Sequence, residues 1–239
     1  MNILVVNDDG IHSNGLHILA RIASKIGNVW VVAPNEECSG MSHRITVYGV
    51  IDVIEESIPV DNVKAYSITG TPADCVKVGI NQIMPGKPDI VFSGINNGLN
   101  IGFDILYSGT VGAAMEAILN GIPAVAFSKC KDSDSYEVVE SYLPQIAEEL
   151  VNRYLNRNEL WNVNFPSCPV DDCKGILYNR LPAQVPLNQD HYQAFGLENG
   201  NFKVKVRGIR NKEAKIGTDL HAVLNNYISI GKVRNSVLV

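Results

Sequence analysis

The sequence has no run of lysine or arginine, and its 25 Asp and Glu residues outnumber its 20 Lys and Arg residues. A protein that binds a nucleic-acid polymer needs a basic surface, so this charge pattern argues against that class of function. Long apolar segments are also missing, and none approaches the ~20 residues of a membrane-spanning helix. The first residues turn polar at Asn7, without the basic and apolar stretches of a secretory signal. We therefore expect a cytoplasmic protein with neither a membrane nor a nucleic-acid partner.

Cysteine is scarce, odd in number and scattered along the chain. The five residues are Cys38, Cys75, Cys130, Cys168 and Cys173. This pattern predicts free thiols in a reducing compartment rather than a disulfide framework. Cys168 and Cys173 lie close together, but no further zinc ligands stand beside them, so we interpret this segment as a loop.

The 239 residues are 46% hydrophobic, which is enough to bury a substantial core. The sequence shows no internal repeat, low-complexity stretch or flexible linker. We expect one α/β domain over residues 1–239. Its core would cover about residues 1–170, and a C-terminal extension at about 175–239 would mediate oligomerisation.

Short apolar, β-branched runs alternate with helical patterns along most of this core. They predict buried strands at residues 3–6, 29–33, 89–93, 124–128 and 161–165, and helices at 16–26, 111–119 and about 136–154, with Gly27 as the first C-cap. Strands that alternate with helices predict a doubly wound, mostly parallel sheet with helices on both faces.

Three further segments alternate apolar and polar residues, which is typical of half-exposed strands. Residues 45–54 and 65–68 are predicted as antiparallel strands outside the main sheet. Residues 202–207 give the cleanest alternation in the tail that begins at Gly175. Because such a tail has little means of burying itself, we expect a homodimer or a larger assembly formed through it.

Asp8 and Asp9 follow the first predicted strand directly. In an open α/β sheet, ligands bind beyond the carboxyl ends of the strands, so polar residues at these ends are candidate site residues. Two adjacent carboxylates repel each other, and a turn that aims both at a hard cation explains their coexistence. A helix cap beside a solvated carboxylate explains the dipeptide equally well, and the residues alone leave both interpretations open.

Two more polar clusters follow later strands. The loop at 38–43 carries Ser39, Gly40 and Ser42, and by itself it is an ordinary polar loop. The segment at 94–102 is rich in glycine and asparagine and leads to Tyr107-Ser108-Gly109-Thr110, which opens a helix. The first turn of a helix is a natural phosphate site, although Ser108 or Thr110 also suits a simple N-cap.

Taken together, five ordered motifs resemble the SurE family, the stationary-phase survival nucleotidases. They are NDDG at 7–10, APNEECSG at 33–40, GTPADCV at 70–76, SGINNGLNIG at 93–102 and YSGTVGAAMEA at 107–117. The segment TDLHAVLNNYISI at 218–230 is also similar to the C-terminal pattern of that family. Each motif is weak alone, but the ordered set spans half of the chain and is specific.

The resemblance implies a Rossmann-like αβα sandwich and a homodimer or homotetramer. It also implies hydrolysis of nucleoside 5'- or 3'-monophosphates with one divalent cation, Mg²⁺ or Mn²⁺. The metal ligands of the family fall on Asp8, Asp9, Ser39 and Asn96. Our hypothesis gives catalytic roles to Asp8, Asp9 and Asn96, which would hold an ion that activates a water molecule. The contacts to the phosphate would come from Gly40, Ser42, Ser108, Gly109 and Thr110.

The sequence departs from the family pattern at three places. Cys38 stands where Arg is usual, Tyr107 where His is usual, and Asn225-Asn226 where Gly usually precedes the tyrosine. These differences concern substrate preference and assembly more than metal binding.

Two other classes of protein also place acidic residues after a first strand. A receiver-like signalling module would bind Mg²⁺ at the pair and use Lys129, but it needs a phosphoacceptor Asp where residues 93–96 read Ser-Gly-Ile-Asn. A haloacid-dehalogenase-type phosphatase needs two acids separated by one residue, and here they are adjacent.

Overall fold

The computed structural model describes residues 1–238, and the side chains within that range except at positions 197 and 198. The strands are β1 (Asn2–Val6), β2 (Asn28–Pro34), β3 (Val53–Glu56), β4 (Val63–Ile68), β5 (Ile90–Asn97), β6 (Ala124–Lys129), β7 (Glu159–Phe165), β8 (Ile176–Arg180), β9 (Asn188–Glu198), β10 (Asn201–Arg210) and β11 (Ile228–Arg234). The helices are α1 (Asn14–Ala23), α2 (Pro72–Val78), α3 (Gly109–Leu119), α4 (Glu137–Val151) and α5 (Asp219–Leu224).

Nine strands form one sheet in the order β3-β4-β2-β1-β5-β6-β7-β11-β8. The strands from β4 to β7 in this order are all parallel to their neighbours. Antiparallel pairing occurs at β3 with β4 and at β11 with β7. The prediction of an α/β sandwich with a mostly parallel sheet and some antiparallel strands is confirmed.

The helices cover both faces of the sheet, as the strand pattern predicts. In β1, Ile3 and Val5 belong to the core cluster that includes α1 and α4. Leu4 and Val6 point to the opposite face and pack with α2 and α3. Because both faces of β1 are covered, its residues are continuously apolar up to Asn7, and the chain turns polar only where the strand leaves the core.

The segment at 65–68 corrects our expectation. It belongs to β4, which pairs parallel with β2 inside the main sheet, whereas we predicted an antiparallel strand outside it. Alternation reports that one face of a strand is more exposed than the other, but it does not report strand direction. Of residues 45–54, only those from Val53 onward form a strand, β3 at the edge of the sheet.

The first helix ends earlier than predicted. Ser24 is the C-cap of α1, not Gly27. A Cβ at position 27 would lie 2.6 Å from the carbonyl oxygen of Met1, so glycine is required there for close backbone packing. The helix α4, by contrast, runs through Pro144 as expected.

The C-terminal segment is divided between two sheets. β8 and β11 extend the main sheet, whereas β9 and β10 form a separate antiparallel hairpin. The hairpin leaves several apolar side chains exposed, among them Tyr192, Phe202 and Val206. All five cysteines are free, as predicted. Across residues 1–238, no helix combines the length and the apolar character needed to cross a membrane.

Candidate functional site

A polar cleft of 740 Å³ opens at the carboxyl ends of β1, β5 and β6. Parallel neighbours end at the same edge of the sheet, so residues far apart in the sequence meet there. The structure brings together all four residues that the resemblance indicates as metal ligands, because Asp8, Asp9, Ser39 and Asn96 all line this cleft.

Asp8 lines the cleft but is only 4% exposed. The hydroxyl of Thr110 donates a hydrogen bond of 2.6 Å to its Oδ1 atom. Burial raises the pKa of Asp8 to about 6, against the opposing hydrogen bond from Thr110 and together with the charge of Asp9. Gly109 packs against the same side chain, since a Cβ there would lie 2.9 Å from Asp8 Cβ. The carboxylate is therefore fixed by the first turn of α3.

Asp9 is held from the other side by β5. Its Oδ2 atom accepts a hydrogen bond of 3.0 Å from the backbone N–H of Asn97. Burial also raises the pKa of this carboxyl, and the Asn97 N–H opposes the rise. The parallel register that pairs Val6 with Ser93 places the end of β5 beside the acidic pair.

Asn96 and Ser39 add neutral oxygen atoms to the two carboxylates. The side-chain N–H of Asn96 donates to the carbonyl oxygen of Gly98 at 2.7 Å, which leaves the amide oxygen as an acceptor. The hydroxyl of Ser39 donates to Glu37 Oε1 at 2.6 Å and keeps its lone pairs.

The chemistry of this donor set fits a hard divalent cation. Carboxylate, amide and hydroxyl oxygens are the ligands that Mg²⁺ and Mn²⁺ prefer. Within residues 1–238, neither Asp8 nor Asp9 forms a salt bridge with a basic side chain, and no three His, Cys, Asp or Glu residues form a metal-binding group. Two carboxylates with neutral oxygens match the usual coordination of Mg²⁺, which binds one or two carboxylates and keeps several water ligands.

The loop that carries Ser39 and Gly40 is anchored at three points. The N–H of Cys38 donates to the Asp8 carbonyl at 2.8 Å, and the N–H of Ser42 donates to the Tyr107 carbonyl at 3.0 Å. His43 Nε2 lies 2.8 Å from Oε2 of Glu116, a buried side chain of α3. The loop is therefore part of the same rigid frame as the acidic pair.

The five residues predicted to contact phosphate separate into two groups. Gly40 and Ser108 line the cleft, whereas Ser42, Gly109 and Thr110 do not. Thr110 is fully buried and its hydroxyl is used by Asp8. The Ser108 hydroxyl also accepts the N–H of Val111 at 3.0 Å, which is the N-cap that the sequence allowed.

Sequence reasoning missed the wall of the cleft that follows β6. Lys129, Lys131, Asp134 and Tyr136 all line it. Lys129 is the last residue of β6 and pairs in register with Asn97. The rule that selected the ends of β1 and β5 applies equally to β6, but we associated Lys129 only with the receiver-like alternative.

Comparisons with known proteins point to one family. The family described as "Survival protein SurE" matches residues 3–185. A "5'-nucleotidase SurE" of Clostridium botulinum strain Langeland is 40% identical over 234 residues, covering 96% of this chain and 91% of the relative. The protein of the same name from strain Alaska E43 is 38% identical, with 96% and 92% covered. The crystal structure of the SurE protein from Aquifex aeolicus superposes with a TM-score of 0.84 at 32% identity, covering 98% of this chain and 93% of that one.

Proposed function

This chain belongs to the SurE family, and from that premise we propose that it is a divalent-metal-dependent 5'-nucleotidase. Its relatives are named 5'-nucleotidases, and the chain is accordingly a nucleotide phosphatase with a small-molecule substrate. The metal dependence, and activity on 3'-monophosphates as a second substrate class, are the finer parts of the proposal.

The acidic pair at the end of β1 carries the proposal of a metal. Asp8 and Asp9 are held in place by Thr110 and Asn97, and burial raises the pKa of both carboxyls. A protein keeps two adjacent carboxylates so poorly solvated only where something else stabilises their charge. A divalent cation bound by Asp8, Asp9, Ser39 and Asn96 would provide that stabilisation.

The residues of the chain then have separate tasks. The ion, when bound, supplies Lewis-acid chemistry and a water molecule of lowered pKa. Gly40 and Ser108, which both line the cleft, are our proposed contacts to the phosphate oxygens. Gly109 and Thr110 act by fixing Asp8, and Ser42 acts by holding its loop on α3.

A substrate panel tests the activity. Nucleoside 5'- and 3'-monophosphates are each incubated with Mg²⁺ or Mn²⁺, and released phosphate is measured before and after chelation with EDTA. We expect hydrolysis of 5'-monophosphates that EDTA abolishes. Accumulation of a stable acyl phosphate from a small phosphodonor, without turnover, would instead favour the receiver-like alternative.

A substitution tests the metal site directly. Asp9→Ala is expected to abolish turnover and to weaken Mn²⁺ binding measured by calorimetry, because it removes one of two charged ligands. The matched control is Asp61→Ala, an exposed acid outside the cleft. Full metal-dependent activity in Asp9→Ala would refute the assignment.

We also propose that the chain is a single domain that assembles as a homodimer or homotetramer through the segment from about residue 175. The position of β11 between β7 and β8 supports the single domain. The exposed apolar side chains on the β9–β10 hairpin support the assembly, because such a surface is normally covered by a partner. A monomeric mass in light scattering at assay concentration would contradict it.

A further inference from the structure

Lys129 is a buried cation in the wall of the cleft. It is only 2% exposed, although it lines the same 740 Å³ space as Asp8 and Asp9. Lysine is almost never fully buried unless it is paired with an acid. The position of this side chain therefore calls for a physical explanation.

The contacts of the ammonium group only partly compensate for the burial of its charge. Two of its N–H groups donate to backbone carbonyls, those of Cys130 at 3.1 Å and Ser133 at 2.6 Å. Its Nζ atom also lies 4.8 Å from the centre of the Tyr136 ring. An ammonium has three N–H groups, so one remains for another acceptor.

No carboxylate in the described part of the chain lies within 4.0 Å of this nitrogen. Burial lowers the pKa of Lys129, and the negative charges of Asp134, Asp132 and Asp9 oppose this change only from longer range. Two carbonyl dipoles and one ring replace hydration incompletely, and a buried charge without a counter-ion is costly. The arrangement is typical of a site whose counter-ion arrives with the ligand.

We propose that Lys129 binds the phosphate group of the substrate, an inference that rests on the proposed nucleotidase function. Register places it next to Asn97 on the adjoining strand, and the N–H of Asn97 holds Asp9. A phosphate bound beside the acidic pair would therefore lie at the same edge of the sheet as Lys129. Lys129 is a specificity-determining residue that favours an anionic group over the uncharged nucleoside.

A purely structural role is the competing explanation, because Lys129 also ties the segment at 130–133 to the end of β6. The variant Lys129→Gln separates the two roles. A glutamine side chain keeps two N–H donors for the carbonyls of Cys130 and Ser133 but has no charge. Lys87→Gln is the matched control, the same chemical change at an exposed lysine outside the cleft.

The experiment uses the full chain. Calorimetry measures the binding of inorganic phosphate and of adenosine in saturating Mn²⁺, and a separate titration of the metal-free protein measures the binding of Mn²⁺. For Lys129→Gln we expect the Kd of phosphate to rise by about tenfold or more, as for the loss of a hydrogen bond to a charged group. The Kd of adenosine should not change, and the Kd of Mn²⁺ should not rise, because the variant removes a positive charge near Asp9. For Lys87→Gln, all three should remain near those of the unsubstituted protein, because Lys87 lies outside the cleft and an exposed charge is screened. If Lys129→Gln does not fold, Lys129→Met replaces it with the same expected result.

Three outcomes would overturn the proposal: unchanged phosphate affinity in the variant, an equal loss of adenosine and phosphate binding, or no phosphate binding by the unsubstituted protein. The failure of this inference is distinguishable from failure of the proposed function. If adenosine 5'-monophosphate is hydrolysed but Lys129→Gln binds phosphate normally, only the role of Lys129 is refuted. If no monophosphate is hydrolysed, the nucleotidase is refuted, while the binding experiment still decides whether Lys129 holds phosphate.

Discussion

The loop that carries Ser39 and Gly40 rests on α3 at Gly112, where no side chain separates the two backbones. A Cβ at position 112 would lie 2.3 Å from the Ser42 carbonyl oxygen and 2.9 Å from its carbonyl carbon. The atoms in conflict are backbone atoms, which cannot rotate away as a side-chain tip can. We therefore predict that Gly112→Ala displaces the loop from the helix and moves Ser39 and Gly40 with it.

The size of the displacement sets the size of the effect. An ordinary Cβ contact begins at 3.4 Å, so the loop must retreat by about 1 Å, and a misplacement of about 1 Å at a reacting centre costs on the order of a hundredfold in rate. Stability responds much less. Alanine is preferred over glycine inside a helix by roughly 0.5–1 kcal/mol, which offsets part of an overpacking cost of roughly 1–3 kcal/mol.

Phosphate release from adenosine 5'-monophosphate with Mn²⁺ gives kcat/KM, and urea unfolding gives the free energy of unfolding. The control is Gly86→Ala, the same chemical change at a position where an added Cβ meets nothing within 4 Å. We expect kcat/KM to fall about a hundredfold for Gly112→Ala and to stay unchanged for the control. Wild-type kcat/KM in Gly112→Ala would refute the reasoning, since it would show that loop position does not govern the site.

Two further predictions concern buried groups. Thr110→Val removes the hydroxyl that donates a hydrogen bond to Asp8. We expect urea unfolding of the metal-free protein at pH 8 to show a free energy of unfolding lower by about 1–3 kcal/mol. An unchanged free energy of unfolding would contradict a stabilising role for this hydrogen bond. Burial raises the pKa of Glu159, but hydrogen bonds from Lys232, Asn156 and Arg234 outweigh it and hold the pKa at about 2, against an ordinary value of 4.5. Since the folded pKa is depressed, this carboxylate stabilises the protein fully above pH 4.5 and loses its contribution as the pH falls towards 2. In urea titrations, Glu159→Gln should therefore be less stable at pH 7, and its stability should fall less steeply below pH 4.5. An unaltered pH profile would contradict the lowered pKa of Glu159.

The central sheet was predictable because its strands are buried on both faces. Continuous β-branched runs such as residues 3–6 occur where helices cover both sides, and polar clusters mark where each strand leaves the core. β4 was misassigned because one of its faces is less covered, so it reads like an antiparallel edge strand. The direction of a strand depends on its connection through space, which alternation does not contain.

The candidate site was predictable only in part, for a similar reason. Asp8 and Asp9 stand out locally, because two carboxylates at the end of a strand are unusual. The role of Thr110 is not local, since its hydroxyl reaches Asp8 across 102 positions of the sequence. In the sequence, Lys129 has the pattern of an ordinary surface lysine. In the structure it is buried and donates a hydrogen bond to the carbonyl oxygen of Ser133.

The charges in the cleft decide how metal and substrate depend on each other. Its lining contains five carboxylates, those of Asp8, Asp9, Glu37, Asp104 and Asp134, but only two lysines. A phosphate dianion would therefore meet a net negative site, and at a separation of about 4 Å each like-charge pair costs about 1 kcal/mol even in bulk water and more in a partly buried cleft. A divalent cation on the acidic pair would neutralise its two negative charges and leave the charge of Lys129 available to a phosphate. Metal binding should thus be a condition for phosphate binding as well as for turnover, and by linkage phosphate should tighten the binding of the metal by the same factor.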